Sequence, residues 1–229
     1  MKNETIRRLS KGVRSRCASA IALCARLEAC ADGITEALTH NFARYLGGCQ
    51  LGFDVRNLTL VLIHAIRQLY AELVDAETSY QQALAGLTAA RGRRDETSPA
   101  VYEHLGRFKR LEMWNRGPVF AAGPLPRRPD EVHALAAGVR PHLDSPDLRW
   151  PVGEPFGLYM KPELVPEFDR LCAELGAALE EIETGSQRSR RARRSRDEVL
   201  QAFDAHLSAA RSLLRTLRDL RTLARDQKD

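Results

Sequence analysis

The chain has 229 residues, 44% of them apolar and only 6% aromatic, with 35 Lys and Arg against 30 Asp and Glu. That much apolar side chain builds a sizeable core and excludes a disordered chain, while a formal charge of +5 is too small by itself to mark a nucleic-acid binder. Five cysteines, Cys17, Cys24, Cys30, Cys49 and Cys172, contain no C-x-x-C pair; they imply neither a disulfide framework nor a zinc knuckle and read as buried thiols of a reducing cytoplasm.

Ala, Leu, Arg and Glu dominate and β-branched residues are sparse, which points to an all-α protein; the arginine richness fits a GC-rich bacterial genome. The basic N-terminal residues Lys2, Arg7, Arg8, Lys11, Arg14 and Arg16 precede a short uncharged run, Cys17 to Ala25. Arg26 and Glu28 follow at once and the helical period continues through them, so a secretory signal is not expected. No run approaches the ~20 apolar residues needed to cross a bilayer.

Val13, Cys17, Ile21, Cys24, Leu27, Ala31, Ile34, Leu38, Phe42 and Tyr45 are spaced by threes and fours. They predict a first helix of about 40 residues, about 60 Å long, capped at Asn3 or Thr5 and stopped at Gly47-Gly48. Past a turn, Val55, Leu58, Leu62, Ala65, Leu69, Leu73, Ala76, Tyr80, Ala83 and Leu87 form a second seam. Leu58 to Ile66 is apolar on more than one face, which predicts cover by at least two neighbours. The short connection makes the pair an antiparallel αα-hairpin.

Ser98 and Pro99 then read as the cap and first position of a separate short helix to about Trp114. Eight prolines between Pro118 and Pro155 mark an irregular connector in which only Pro129 to Val139 looks helical; Trp150, Phe156, Leu158 and Tyr159 would pin it to the bundle. From Pro162 a last helix carries Leu164, Phe168, Leu171, Leu175, Ala178 and Ile182, then Leu200, Phe203, Leu207, Ala210, Leu214 and Leu217. The expected architecture is an elongated bundle of three long, coiled-coil-like helices. It divides into a hairpin plus short helix (1–114), a Pro-rich connector (115–161) and a long C-terminal helix (162–229).

Between the halves of the last seam, Gly185, Ser186, Ser189, Ala192 and Ser195 stand where Leu is expected. Six of the nine residues from 188 to 196 are arginine: Arg188, Arg190, Arg191, Arg193, Arg194 and Arg196. The stretch reads as a solvated helical bridge or a bend. Arginine forks bind phosphate in two-pronged fashion, so a polyanion site, with Arg91, Arg93 and Arg94 as candidate auxiliaries, is one reading. Pairing with Glu174, Glu180, Glu181 and Glu183, or plain solvation, is the other.

No catalytic, cofactor or metal site is expected. Gly-x-Ser-x-Gly, P-loop and Gly-x-Gly-x-x-Gly patterns are missing, and His40, His64, His104, His133, His142 and His206 are scattered without Glu-x-x-His spacing. His64 and His206 read as core histidines beside apolar seams, and Cys24 and Cys30 as structural thiols. The last helix, on the order of 100 Å if straight, outreaches either hairpin arm, which predicts a fold-back at the arginines or association with a second chain. The expectation is a cytoplasmic, self-associating scaffolding or protein-interaction protein; the alternative is an architectural nucleic-acid binder that uses the arginine cluster.

Overall fold

The computed structural model describes residues 9–45, 55–115, 124–146, 148 and 164–226, with side chains described for 9–30, 57–111, 124–146, 148, 164–219 and 222. The four elements among them are α1 (Lys11–Tyr45), α2 (Val55–Asn115), α3 (Pro129–Leu143) and α4 (Leu164–Asp226), and no strand occurs among the described residues. Asn3, Thr5, Gly47, Gly48, Cys49, Trp150, Phe156, Leu158 and Tyr159 lie outside them, as do the side chains of His40, Phe42, Tyr45 and Trp114.

The chain forms two compact units, one of Met1–Gln82 with Arg190–Asp229 and one of Ala83–Ser189. In the first, Val13, Cys17, Ala20, Cys24 and Leu27 of α1, Ile63, Ile66 and Leu73 of α2, and Phe203, Leu207, Ala210, Leu214 and Leu217 of α4 share one core. Arg67 of α2 reaches Glu28 of α1 at 2.7 Å while the backbone N–H of Ser10 reaches Glu77 at 3.2 Å. Moving up one helix moves down the other, so α1 and α2 run antiparallel, as the hairpin requires.

In the second unit, Val101, Leu105, Phe108 and Leu111 of α2 pack with Val132, Ala136, Val139 and Leu143 of α3 and Phe168, Leu171 and Leu175 of α4. Leu87 lies against Gly185, Arg93 pairs with Glu181, and the rings of Phe108 and Phe168 meet edge to face with centroids 5.0 Å apart. These steps again run in opposite directions, which makes α2 and α4 antiparallel here. α3 starts on Pro129, whose missing N–H costs nothing in the first turn. It runs four residues past the Val139 that the pattern suggests, because Val139 and Leu143 continue its buried stripe.

Three expectations change. The buried stripe that opens α2 is Thr59, Ile63 and Ile66, one residue round from the Leu58, Leu62, Ala65 seam; Leu58 stays 41% exposed. In α1, Ala20 takes the core position and Ile21 is 58% exposed. Each residue turns a helix by about 100°, so where a segment is apolar on two sides the spacing fits either register.

The third change concerns length. α2 does not break at Ser98-Pro99 but runs 61 residues with Pro99 inside it, close to the 63 of α4. Ala90, Thr97, Ser98, Val101, Leu105 and Phe108 are all buried, so one stripe passes straight beneath the exposed proline ring. Packing along it outweighs the ~3 kcal/mol an internal proline costs. The length mismatch therefore disappears, and α4 is helical throughout 188–196 rather than folded back.

Pro99→Ala separates an unbroken α2 from two abutting helices. In a continuous helix the alanine restores the N–H bond to the Asp95 carbonyl and should raise stability by about 1–2 kcal/mol in urea denaturation. A neutral or destabilising result would mean Pro99 opens a helix of its own.

Candidate functional site

The arginine run sits on an uninterrupted stretch of α4, and helix geometry divides its members. Ala192, Arg196, Val199 and Phe203 continue the inward stripe, with Phe203 fully buried and the other three partly so. Arg190, Arg191 and Arg194 lie on the opposite side and are exposed; Arg188 and Arg193 flank, also exposed.

Arg196 is the exception in both place and partners. Its side chain is 18% exposed, and its guanidinium lies 3.5 Å from Glu77, 2.6 Å from Asp197 and 4.5 Å above the centre of the Tyr80 ring. Glu77 is fully buried on α2. Its Oε1 accepts from the Ser10 backbone N–H at 3.2 Å and from Gln81 Nε2 at 3.0 Å, and its Oε2 faces Arg196. Burial pushes this carboxyl up, but the hydrogen bonds from Gln81 and Ser10 and the Arg196 charge outweigh it and hold the group below its ordinary 4.5. One buried carboxylate thus joins the start of α1, the middle of α2 and the one inward arginine of the 188–196 run.

Among the described residues the other arginines of the run do not pair with Glu174, Glu180, Glu181 or Glu183. Glu174 pairs with Arg170 at 2.6 Å and Glu181 with Arg93. Arg193 approaches Asp197 only to 3.8 Å, and Arg188, Arg190, Arg191 and Arg194 form no ion pair with a described residue. On the partner helix, α2 carries no charged residue from Thr78 to Ala90, the span that includes Tyr80 beneath Arg196 and Leu87 against Gly185. Arg190–Arg193, Arg190–Arg194 and Arg191–Arg194 are like-charge pairs at helical spacing, each unfavourable by about 0.2–0.5 kcal/mol. Of the suggested auxiliaries, Arg93 and Arg94 are occupied by Glu181 and Asp95, and Arg91 is exposed in the second unit.

Among the described histidines the buried one is His104, not His64 or His206. His64 is exposed, one step off the Ile63 stripe, and half-buried His206 bonds the Ala202 carbonyl through Nδ1 at 2.8 Å. His104 is 6% exposed beside Phe108 and Phe168. Burial and then Arg107 hold it below 6.5, against Glu167 and Glu103; it is neutral at pH 7, and the 4.0 Å approach of Glu167 is not an ion pair. Cys17 and Cys24 are buried thiols pushed up by burial, Cys172 to about 11, the opposite of what a nucleophile needs. Among the described residues no three His, Cys, Asp or Glu are placed to hold a metal, and no helix is long and apolar enough to cross a membrane.

Comparison of the chain with known protein families, with curated proteins and with solved structures returned no match.

Glu77 gives the junction a pH signature. A folded-state value below 4.5 means its stabilisation is complete above that pH and is lost as pH falls through the lower, folded value. Glu77→Gln should lower stability at pH 7 by about 2–4 kcal/mol, because Arg196 loses its buried partner, and should flatten the acid limb of the stability–pH curve. Equal acid limbs for wild type and variant would contradict a charged, paired Glu77.

Proposed function

We propose that this chain is a non-enzymatic interaction or scaffolding protein that associates with a second copy of itself through the opening turns of α2. The carrying observation is a cluster of uncovered apolar side chains: Leu58, Leu60 and Val61 are 41%, 49% and 66% exposed within four residues. Leu62, Ala65 and Leu69, half-buried, extend this face along the helix. Concentrated apolar exposure of this kind marks an association surface more often than chance. It replaces unequal helix length as the ground for self-association. The coiled-coil-like arrangement of α1, α2 and α4 and a cytoplasmic location belong to the same proposal. Seams spaced by threes and fours support the former, and free cysteines the latter.

A second reading, an architectural protein that binds polyanions through Arg188, Arg190, Arg191, Arg193, Arg194 and Arg196, is favoured by one specific observation: all but Arg196 are exposed, and four have no ion-pair partner among the described residues.

Val61→Asp tests the first reading. Sedimentation velocity should show a concentration-dependent dimer for the wild type and a dissociation constant weakened at least roughly tenfold in the variant, with helicity unchanged. A wild-type chain that stays monomeric throughout, or an equally dimeric variant, would overturn it.

A further inference from the structure

We propose that Arg190, Arg191 and Arg194 form a docking face for the phosphate backbone of double-stranded nucleic acid, with Arg193 at its edge and Arg196 excluded. This rests on the polyanion reading and narrows it to three residues and one ligand class.

Charge distribution is the first ground. The first unit holds 21 of the 35 Lys and Arg and 14 of the 30 Asp and Glu; the second holds the remaining 14 and 16. The whole basic excess of the chain therefore lies in the unit that carries Arg190 to Arg194. A modest overall charge conceals this concentration, and local excess is what draws a polyanion.

Geometry is the second. Arg190, Arg191 and Arg194 point away from the Phe203 stripe and are separated by about 6 Å along the helix axis at 1.5 Å per residue. A duplex presents about one phosphate charge per 1.7 Å of its own axis, so three forks over this length meet phosphate without strain. Their mutual repulsion, with no charged residue on α2 from Thr78 to Ala90 to offset it, is relieved when phosphate lies across them.

What surrounds the three residues selects the ligand class. A single strand needs an exposed ring to stack bases on, but the nearby Tyr80 ring is covered by Arg196. An interfacial membrane helix needs a large apolar face. Among the described residues the exposed large apolar side chains, Ile21, Leu58, Leu60, Val61 and Leu84, all lie on α1 and α2. What remains is recognition by charge alone, with little sequence preference.

The test is fluorescence anisotropy of the full chain with a labelled mixed-sequence duplex over a range of salt, beside the same sequence as a single strand, anionic phosphatidylserine vesicles and inorganic polyphosphate. The triple variant Arg190→Gln, Arg191→Gln, Arg194→Gln is the main comparison, with circular dichroism to confirm folding; Arg196→Lys is the second. The expected result is duplex binding whose log–log salt slope falls by about 2.7 in the triple variant, about 0.9 for each phosphate no longer neutralised, and is kept in Arg196→Lys. An unchanged slope in the folded triple variant would overturn the residue assignment. Tighter binding of the single strand or vesicles, or polyphosphate bound through these arginines without duplex, would overturn the ligand class while the polyanion reading stood. If nothing binds even at low salt, both fall.

Discussion

Glu77 carries a charge where the core allows none, and the arrangement of the first unit follows from keeping it satisfied. A carboxylate with no solvent exposure is costly unless hydrogen-bonded and paired. Three elements supply what it needs: the Ser10 backbone at the head of α1, Gln81 one turn along α2, and Arg196 from α4. Ser10 and Arg196 are each usable only in one register of their own helix against α2, whereas Gln81 travels with Glu77. An apolar side chain at position 77 would tolerate sliding; a buried ion does not. The junction thus acts as a register pin for a seam that leucines fill but do not align.

The same pin explains why six neighbouring arginines are not equivalent. Drawing Arg196 inward fixes the rotation of α4, and at about 100° per residue that decides the rest: Arg190, Arg191 and Arg194 turn out, Arg193 and Arg188 flank. The exposed charge is a geometric consequence of the buried pair. The second unit packs through the Phe108–Phe168 contact and a close approach of α3 to α4 at Gly176. A β-carbon there would stand 2.7 Å from His133 Nε2.

Much of the fold is legible in the sequence because long seams constrain it. Phe168, Leu171, Leu175 and Ala178, then Phe203, Leu207, Ala210, Leu214 and Leu217, are buried as their spacing requires. Two-sided apolar segments are less decisive, which is why Ile21 and Leu58 turn outward although the pattern places them inward. Pro99 misleads for another reason: a proline after a serine fits the start of a helix locally, whereas the stripe through Thr97, Val101 and Leu105 that overrides it is a tertiary feature. Of the site, the arginine run is plain, but its division is not. Glu77 is passed over because a carboxylate is not expected on a seam, although Leu73, Glu77 and Tyr80 keep its spacing of fours and threes. A polar residue on an otherwise intact seam is the signal that could have found it.

One buried ion pair sets a helix rotation, and that rotation presents a set of arginines that no described residue neutralises. Dicarbonyl labelling of arginine in the native protein, read residue by residue by mass spectrometry, tests this most directly. Arg190, Arg191 and Arg194 should be modified rapidly and Arg196 slowly, and Arg196 should become as reactive as its neighbours once Glu77 is replaced by Gln. Uniform reactivity along the run in the wild type would contradict a rotation set by the buried pair.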